Sequence, residues 1–352
     1  RPKIREIHLG GGTPTFFSAE NLKKLIDGIF KRADKFEIFD FSFESHPNLT
    51  SEEQLQTLYD LGSRRNSFGI QDYDPKVQKA IHRVQSFEQV KKVHDLSRKI
   101  GYESISHDLI FGLPFQTEES IRTTIKNTIA LKPDRIAYYS YAHVPWIKGV
   151  GQRGFEDSDL PKDSEKRHLY ELGKQLFFDN GYVEVGMDHF ALPSDSLHEA
   201  MEAKKLHRNF MGYTAGKTEL MIGLGMSSIS DSWYAFAQNE KDIDDYTKKV
   251  NQGIIPIFRG HLLTAKDLII RKHILNLMCN LETEWNVGLG AQVKSEIIQR
   301  LKAIIDDGLI EISENKIIVK EEGRMFVRNI CMAFDLRLIE NKPDTRIFSM
   351  TI

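Results

Sequence analysis

The chain has 352 residues, enough for one large domain and a smaller one. Apolar residues make up 40% and charged residues 28%, and the formal net charge is -2, so no global basic field argues for nucleic acid. No apolar run reaches the length of a membrane span, so a cytoplasmic protein without membrane contact is expected. Strand-like runs at Glu6–Leu9, Glu37–Glu44, Arg65–Ile70, Ser104–Ile110 and Arg135–Tyr141 alternate with helical patterns at Ala19–Arg32, Glu52–Leu61, Phe87–Ile100 and Glu118–Leu131. This rhythm predicts a parallel sheet covered by helices, either a (β/α) barrel, part of one, or a doubly wound sheet. From about Val150 the rhythm weakens. A helix near Lys166–Asn180, a strand Val183–Gly186, a polar helix and a glycine-rich apolar stretch, LMIGLGMSSIS, follow. Helices at Ala265–Asn280 and Val293–Asp307, a hairpin over Leu309–Val319 and a helix over Glu321–Met332 then read as a small winged-helix-like domain. Its helices mix acidic and basic residues, so no DNA-reading face is expected.

The unusual residues gather at the strand ends, where parallel α/β folds build their sites. Gly10, Gly11 and Gly12 end the first strand, in GGGTPT, which is neither a Walker A loop nor GxGxxG. The triplet reads either as a tight turn or as a loop whose backbone cradles a ligand. Glu44 and Asp108 are carboxylates at strand ends, each needing a partner or an opening to water. Gln71 offers a donor and an acceptor, and Arg83 a bidentate cation. His46, His107, His143, His189 and His207 sit beside such loops without any HxH or HExxH pattern, so no metal site is indicated. His207 and Arg208 make a local cationic point that suits an acidic substrate. Asn66 stands where an apolar strand residue is expected. Cys279 and Cys331 are far apart and form no CxxC pair, so they are expected to be buried, reduced thiols and not ligands.

Taken together, HLGGGTPT, FESHP, FGIQDYD, DLIFGLP and YAHVP, followed by GMDHFALP, LHRNFMGYT, GLGMSSIS, FAQN and RNICMAFD, resemble the oxygen-independent coproporphyrinogen III oxidases of the radical S-adenosylmethionine (SAM) superfamily, from the first residue to the last. The resemblance implies a partial (β/α) barrel over residues 1–262, without its first strand and cluster loop, and a C-terminal helical, winged-helix-like domain over 263–352. It implies oxidative decarboxylation of two propionates of coproporphyrinogen III to vinyl groups, giving protoporphyrinogen IX in heme biosynthesis. The cofactors it implies are a 4Fe–4S cluster and two SAM molecules, and the partners an unidentified electron donor and acceptor; a monomer is expected. By motif position, Gly11, Glu44 and Ile229 match contacts to the first SAM, and Gly12, Thr13, Gln71, Arg83, Asp108 and Ala142 match contacts to the second. His207 and Arg208 are expected at substrate propionates, and no catalytic residue is assigned.

The family's CxxxCxxC, which holds the cluster, does not occur in this sequence. The chain is therefore expected to be a fragment of a longer enzyme and inactive by itself. The alternative is a non-catalytic homologue that binds SAM, porphyrin or heme. An aldolase-type barrel would want a lysine at a strand end, and the strand-end motifs contain none.

Overall fold

The computed structural model describes residues 1–144, 154–217, 219–285 and 288–340. Its first compact unit comprises Arg1–Glu184 and Asp188–Asp195. Five parallel strands, β1 (Lys3–Leu9), β2 (Asp34–Ser45), β3 (Arg65–Gln71), β4 (Ser104–Phe111) and β5 (Arg135–Ser140), lie side by side in chain order. Helices α1 (Ala19–Phe30), α2 (Glu52–Asp60), α3 (Pro75–Ala80), α4 (Phe87–Ile100), α5 (Glu118–Ala130) and α6 (Asp163–Asp179) alternate with them. Two short strands, β6 (Val183–Glu184) and β7 (His189–Ala191), finish the sheet, with β7 antiparallel to β5. This is a partial (β/α) barrel, one of the two architectures that the strand–helix rhythm allowed.

Capping fixes where the helices begin. Ser51, Ser86 and Thr117 each accept from the backbone N–H three residues on, and Gln54, Gln89 and Ser120 return the bond to the cap. Gly101 ends α4 in the left-handed region at φ 113°. The strands are two-faced. Phe41 and Phe43 of β2, Phe68 and Ile70 of β3, Ile105 and Leu109 of β4 and Ile136 of β5 are buried with Leu22, Ile26, Leu55, Leu58, Val90 and Ile121 of the helices. Asn66 shares this buried face. Its Nδ2 donates to Ser97 Oγ at 3.1 Å, beside a His94–His107 contact of 3.1 Å between α4 and β4. A polar seam thus replaces the apolar residue expected at position 66; it satisfies the Asn66 amide nitrogen, while the amide oxygen is buried without a hydrogen-bond partner among the described residues.

The second unit comprises Val185–Met187 and, among the described residues, Ser196–Glu340. It contains α7 (Ser196–Glu202), a hairpin of β8 (His207–Asn209) and β9 (Gly212–Thr214), and an antiparallel sheet of β10 (Leu220–Met221), β11 (Ile229–Ser232), β12 (Ala235–Asn239) and β13 (Ile257–Leu262), with α8 (Ile243–Asn251) before β13. The long helix α9 (Ala265–Asn280) leads to β14 (Glu282–Glu284), α10 (Ala291–Arg300), α11 (Lys302–Asp306), the hairpin β15 (Ile310–Ile312) and β16 (Lys316–Val319), then α12 (Val327–Met332) and α13 (Leu336–Glu340). Strands β14, β16 and β15 form a three-stranded sheet among these helices. The compact division therefore falls near Asp195. The expected boundary at 262/263 separates, inside this unit, the sheet-bearing segment from the helical one. The two segments cohere because Arg271 of α9 donates to Asp231 Oδ1 (2.6 Å) and to the carbonyl of Ser232 (2.6 Å). Among the described residues no helix is long and apolar enough to cross a membrane.

Phe68 has no exposed surface and lies at the centre of the helix-facing side of the sheet. Phe68→Ala is expected to cost about 3–5 kcal/mol of stability in urea unfolding. Unfolding at the parent's midpoint would remove Phe68 from the core.

Candidate active site at the strand carboxyl ends

Pairing registers dictate what faces inward. His8 pairs with Ser42, Glu44 with Ser67, and Asp108 with both Gly69 and Ala137. Successive strand residues point to opposite faces. The face away from the buried aromatic residues therefore carries His8, Ser42, Glu44, Ser67 and Asp108. Nearer the amino ends, the same face carries Arg65, ion-paired with Asp40, and Arg135, whose Nε donates to Asp195 Oδ1 at 2.7 Å.

The three glycines play separate parts. Gly11 and Gly12 hold φ of 78° and 57°, the left-handed region that glycine tolerates, and nothing stands within 4 Å of where their Cβ atoms would be. At Gly10 a Cβ would come within 2.7 Å of His8 Nε2 and 3.0 Å of Glu44 Oε1. The triplet is thus both a tight turn and an open, backbone-lined surface. Gln54 of α2 anchors the following segment by donating to the carbonyls of Thr15 (2.8 Å) and Phe17 (2.6 Å). Thr13 precedes a single 3₁₀ turn, Pro14–Phe16, and its hydroxyl makes no capping bond there.

Glu44 is half-buried, and its Oε2 accepts the Gly11 N–H at 3.2 Å while its Oε1 lies 3.4 Å from His8 Nε2. The His8 contact, with the Gly11 N–H, holds this carboxyl below its ordinary range although burial opposes it. Asp108 goes the other way. Burial, with the nearby Glu44 charge, raises it to about 6, against Ser67 Oγ, which donates to Oδ2 at 2.8 Å, and Arg83. Arg83 Nη2 donates to the Gly69 carbonyl at 2.7 Å, and its Nε is buried with no hydrogen-bond partner among the described residues. Gln71 ends β3 with φ 69°, and its Nε2 lies over Gly69. Gly11, Gly12, Glu44, Gln71 and Asp108 are therefore residues toward the carboxyl ends of β1 to β4, and Arg83 reaches Gly69 of β3 from the loop after α3. Ala142 follows β5 and is exposed.

Other expected positions belong to other elements. Ile229 begins β11 in the second unit. His207 and Arg208 are on β8, also in that unit, and burial lowers His207, aided by the charge of Arg271. Arg208 stacks on Tyr213 (4.7 Å) and lines a cleft of about 530 Å³ with Phe210, Phe236, Ile270 and Arg271; its Nη1 is buried without a partner among the described residues. His107 is not at the mouth: it is fully buried on the helix side of β4. His46 follows β2, and its Nδ1 accepts the Asn48 N–H at 3.1 Å. His143 pairs with Asp157 and His189 with Tyr139. Both cysteines are buried in the second unit, and burial pushes each thiol up to about 12. Among the described residues no group of three or more His, Cys, Asp or Glu side chains is placed to hold a metal ion.

His8, Ser42 and Ser67 are site residues that the motif reading passed over. They lie inside strands and carry no loop signal; only their alternation with Ile7, Phe41 and Phe68 marks them.

The Asp108 carboxyl binds its proton more tightly in the folded chain than in the unfolded one, so its stabilising contribution is present at low pH and lost as pH rises from about 4 through about 6. Asp108→Asn, which cannot ionise, is expected to gain stability on the parent across that window and to keep a constant margin above it, as read by urea unfolding at successive pH values. Parallel pH profiles would place Asp108 at an ordinary carboxyl value.

Residues 1–127 match the family model described as the radical SAM superfamily. The chain is 37% identical to the oxygen-independent coproporphyrinogen III oxidase of Helicobacter pylori over 344 residues, which is 96% of this chain and 75% of that protein. It is 36% identical to the enzyme of the same name from Escherichia coli, over 99% of this chain and 77% of that protein. The solved structure of coproporphyrinogen III oxidase from Escherichia coli, described as a radical SAM enzyme, superposes with a TM-score of 0.91 at 34% identity, covering 96% of this chain and 79% of the other. The strand-end polar face, the glycine loop and a likeness that runs through both compact units agree: the chain belongs to the oxygen-independent coproporphyrinogen III oxidase family of radical SAM proteins.

Proposed function

We propose that this chain serves the oxygen-independent oxidation of coproporphyrinogen III in heme biosynthesis, an oxidoreductase reaction that turns two propionates into vinyl groups. The observation that carries the reading is the pair of carboxylates on one face of the sheet, Glu44 of β2 and Asp108 of β4 on either side of β3, one held ionised beside a bare glycine loop and one raised by burial. Bound SAM supplies, in such chemistry, the abstraction of a hydrogen atom from a propionate, which then loses its carboxylate as carbon dioxide.

The residues present fit a methionine head group and a ribose. The ionised Glu44 suits an ammonium, and the Gly11–Gly12–Thr13 backbone leaves room for close approach. Asp108 and Gln71 offer acceptors and a donor for ribose hydroxyls of a second SAM, and the buried, unpartnered Nε of Arg83 suits a carboxylate. Ala142 is proposed to meet the second molecule. In the second unit, Arg208 brings a guanidinium to a cleft lined by Phe210, Phe236 and Ile270 together with Asp231, Asp267 and Arg271, a cation beside apolar surface of the kind that a propionate on an apolar macrocycle requires, and His207 lies next to it in sequence. An electron acceptor would be needed because each decarboxylation releases one electron, and an electron donor because SAM yields a radical only on one-electron reduction.

The cysteines of this chain do not fit the cluster that the family uses. Two thiols buried in one unit and held protonated supply neither three ligands nor thiolates. The same misfit favours, as a second reading, a chain that by itself binds SAM and a tetracarboxylate porphyrin without turning them over.

Under anaerobic conditions this chain is expected to bind SAM, to bind coproporphyrin III, and to form no protoporphyrinogen IX. Iron and sulfide counted after reconstitution are expected to stay far below one cluster per chain, and near-stoichiometric amounts would refute the misfit. Glu44→Gln is expected to weaken SAM binding roughly tenfold or more in calorimetry. Arg208→Gln is expected to weaken coproporphyrin binding by a similar factor and to leave SAM binding unchanged. A chain that bound neither ligand would overturn the reading.

A further inference from the structure

The polar face contains one ring whose contacts converge on Glu44. His8 lies one strand away, paired across the sheet with Ser42, and its Nδ1 meets Ser42 Oγ at 2.9 Å. That bond leaves Nε2 aimed at Glu44 Oε1, 3.4 Å distant. Oε2 of the same carboxylate accepts the Gly11 N–H. The ring and the carboxylate also occupy the volume that a side chain at position 10 would fill, so the first glycine is required by His8 and Glu44 and not by backbone conformation. Ser42, His8, Glu44 and Gly11 form one chain of contacts from the sheet to the loop.

We propose that His8 is a positioning residue for the glycine loop, holding Glu44 through one oxygen so that the other keeps Gly11 at the strand mouth. The inference rests on the reading of Glu44 and Gly11 as an amino-acid head-group site. His8 acts through Glu44 and touches no reacting atom. With Ser42 on Nδ1, the ring keeps Nε2 toward the carboxylate. The other charged groups facing this carboxylate are Asp108 on β4, which couples to it directly, and Arg83, which acts on Asp108 from the loop after α3.

The test combines two readouts on the full chain. Isotope-labelled glutamate carboxyls are titrated by NMR, with Glu44→Gln identifying the Glu44 resonance, and SAM binding is measured by calorimetry. In His8→Phe the Glu44 midpoint is expected to move up toward the ordinary glutamate range and SAM affinity to fall roughly tenfold. His8→Gln, whose amide keeps a donor near Oε1, is expected to recover most of both. An unchanged Glu44 midpoint in His8→Phe overturns the proposal, and so does a shifted midpoint with full SAM affinity. A general loss of stability moves the urea midpoint of His8→Phe without moving the Glu44 titration, and that result also counts against it. If the parent binds no SAM, the head-group reading falls, and the Glu44 titration alone decides whether His8 holds the carboxylate.

Discussion

The register of five parallel strands is the constraint on which the site depends. The first four alternate an apolar residue with a polar one: Ile7 with His8, Phe43 with Glu44, Phe68 with Ser67 and Leu109 with Asp108. A slip of one residue in any pairing would carry that strand's polar set under the helices and its aromatic set into the mouth. The buried phenylalanines thus do two things. They supply the apolar area that stabilises the sheet, and they fix the face on which two carboxylates must meet.

Once those carboxylates share a face, their surroundings separate them. Glu44 gains a ring nitrogen and a backbone N–H and stays ionised, whereas Asp108 lies deeper, feels the Glu44 charge and holds its proton more tightly. Two like groups with different proton affinities are the usual mark of a working site. The glycine loop completes the arrangement because it brings backbone and no side chains to the same place. The second unit obeys a different constraint. An ion pair between Arg271 and Asp231 binds a sheet of short strands to the long helix α9, and Arg208 is left with a guanidinium nitrogen that the described protein does not satisfy.

Much of this was legible in the chain itself. The helices Phe87–Ile100 and Ala265–Asn280 run as expected, since a capping serine or threonine and a change of period mark their ends. The strand-end motifs marked the candidate site, because polar residues closing apolar runs have few other reasons to be there. The sheet β10–β13 and helix α8 went unread. Its strands are short, carry glycine and serine, and find their order only by pairing across loops. The single helix expected over Val293–Asp307 is divided at Leu301, and the one over Glu321–Met332 begins only at Val327, after a 3₁₀ turn at Arg324–Phe326.

By itself the sequence determined the strand–helix rhythm, the glycine loop, the two carboxylates and the family, all of which are written in local patterns. It left open a barrel or an open sheet, and it left His8 unnoticed among other histidines. Tertiary structure decided those matters. Whether a histidine inside a strand faces a carboxylate or a helix depends on register with the neighbouring strand. His8 and His107 occupy similar strand positions, yet pairing sends one to Glu44 and the other to His94. That difference comes from contacts between residues far apart in the chain, which no local pattern records.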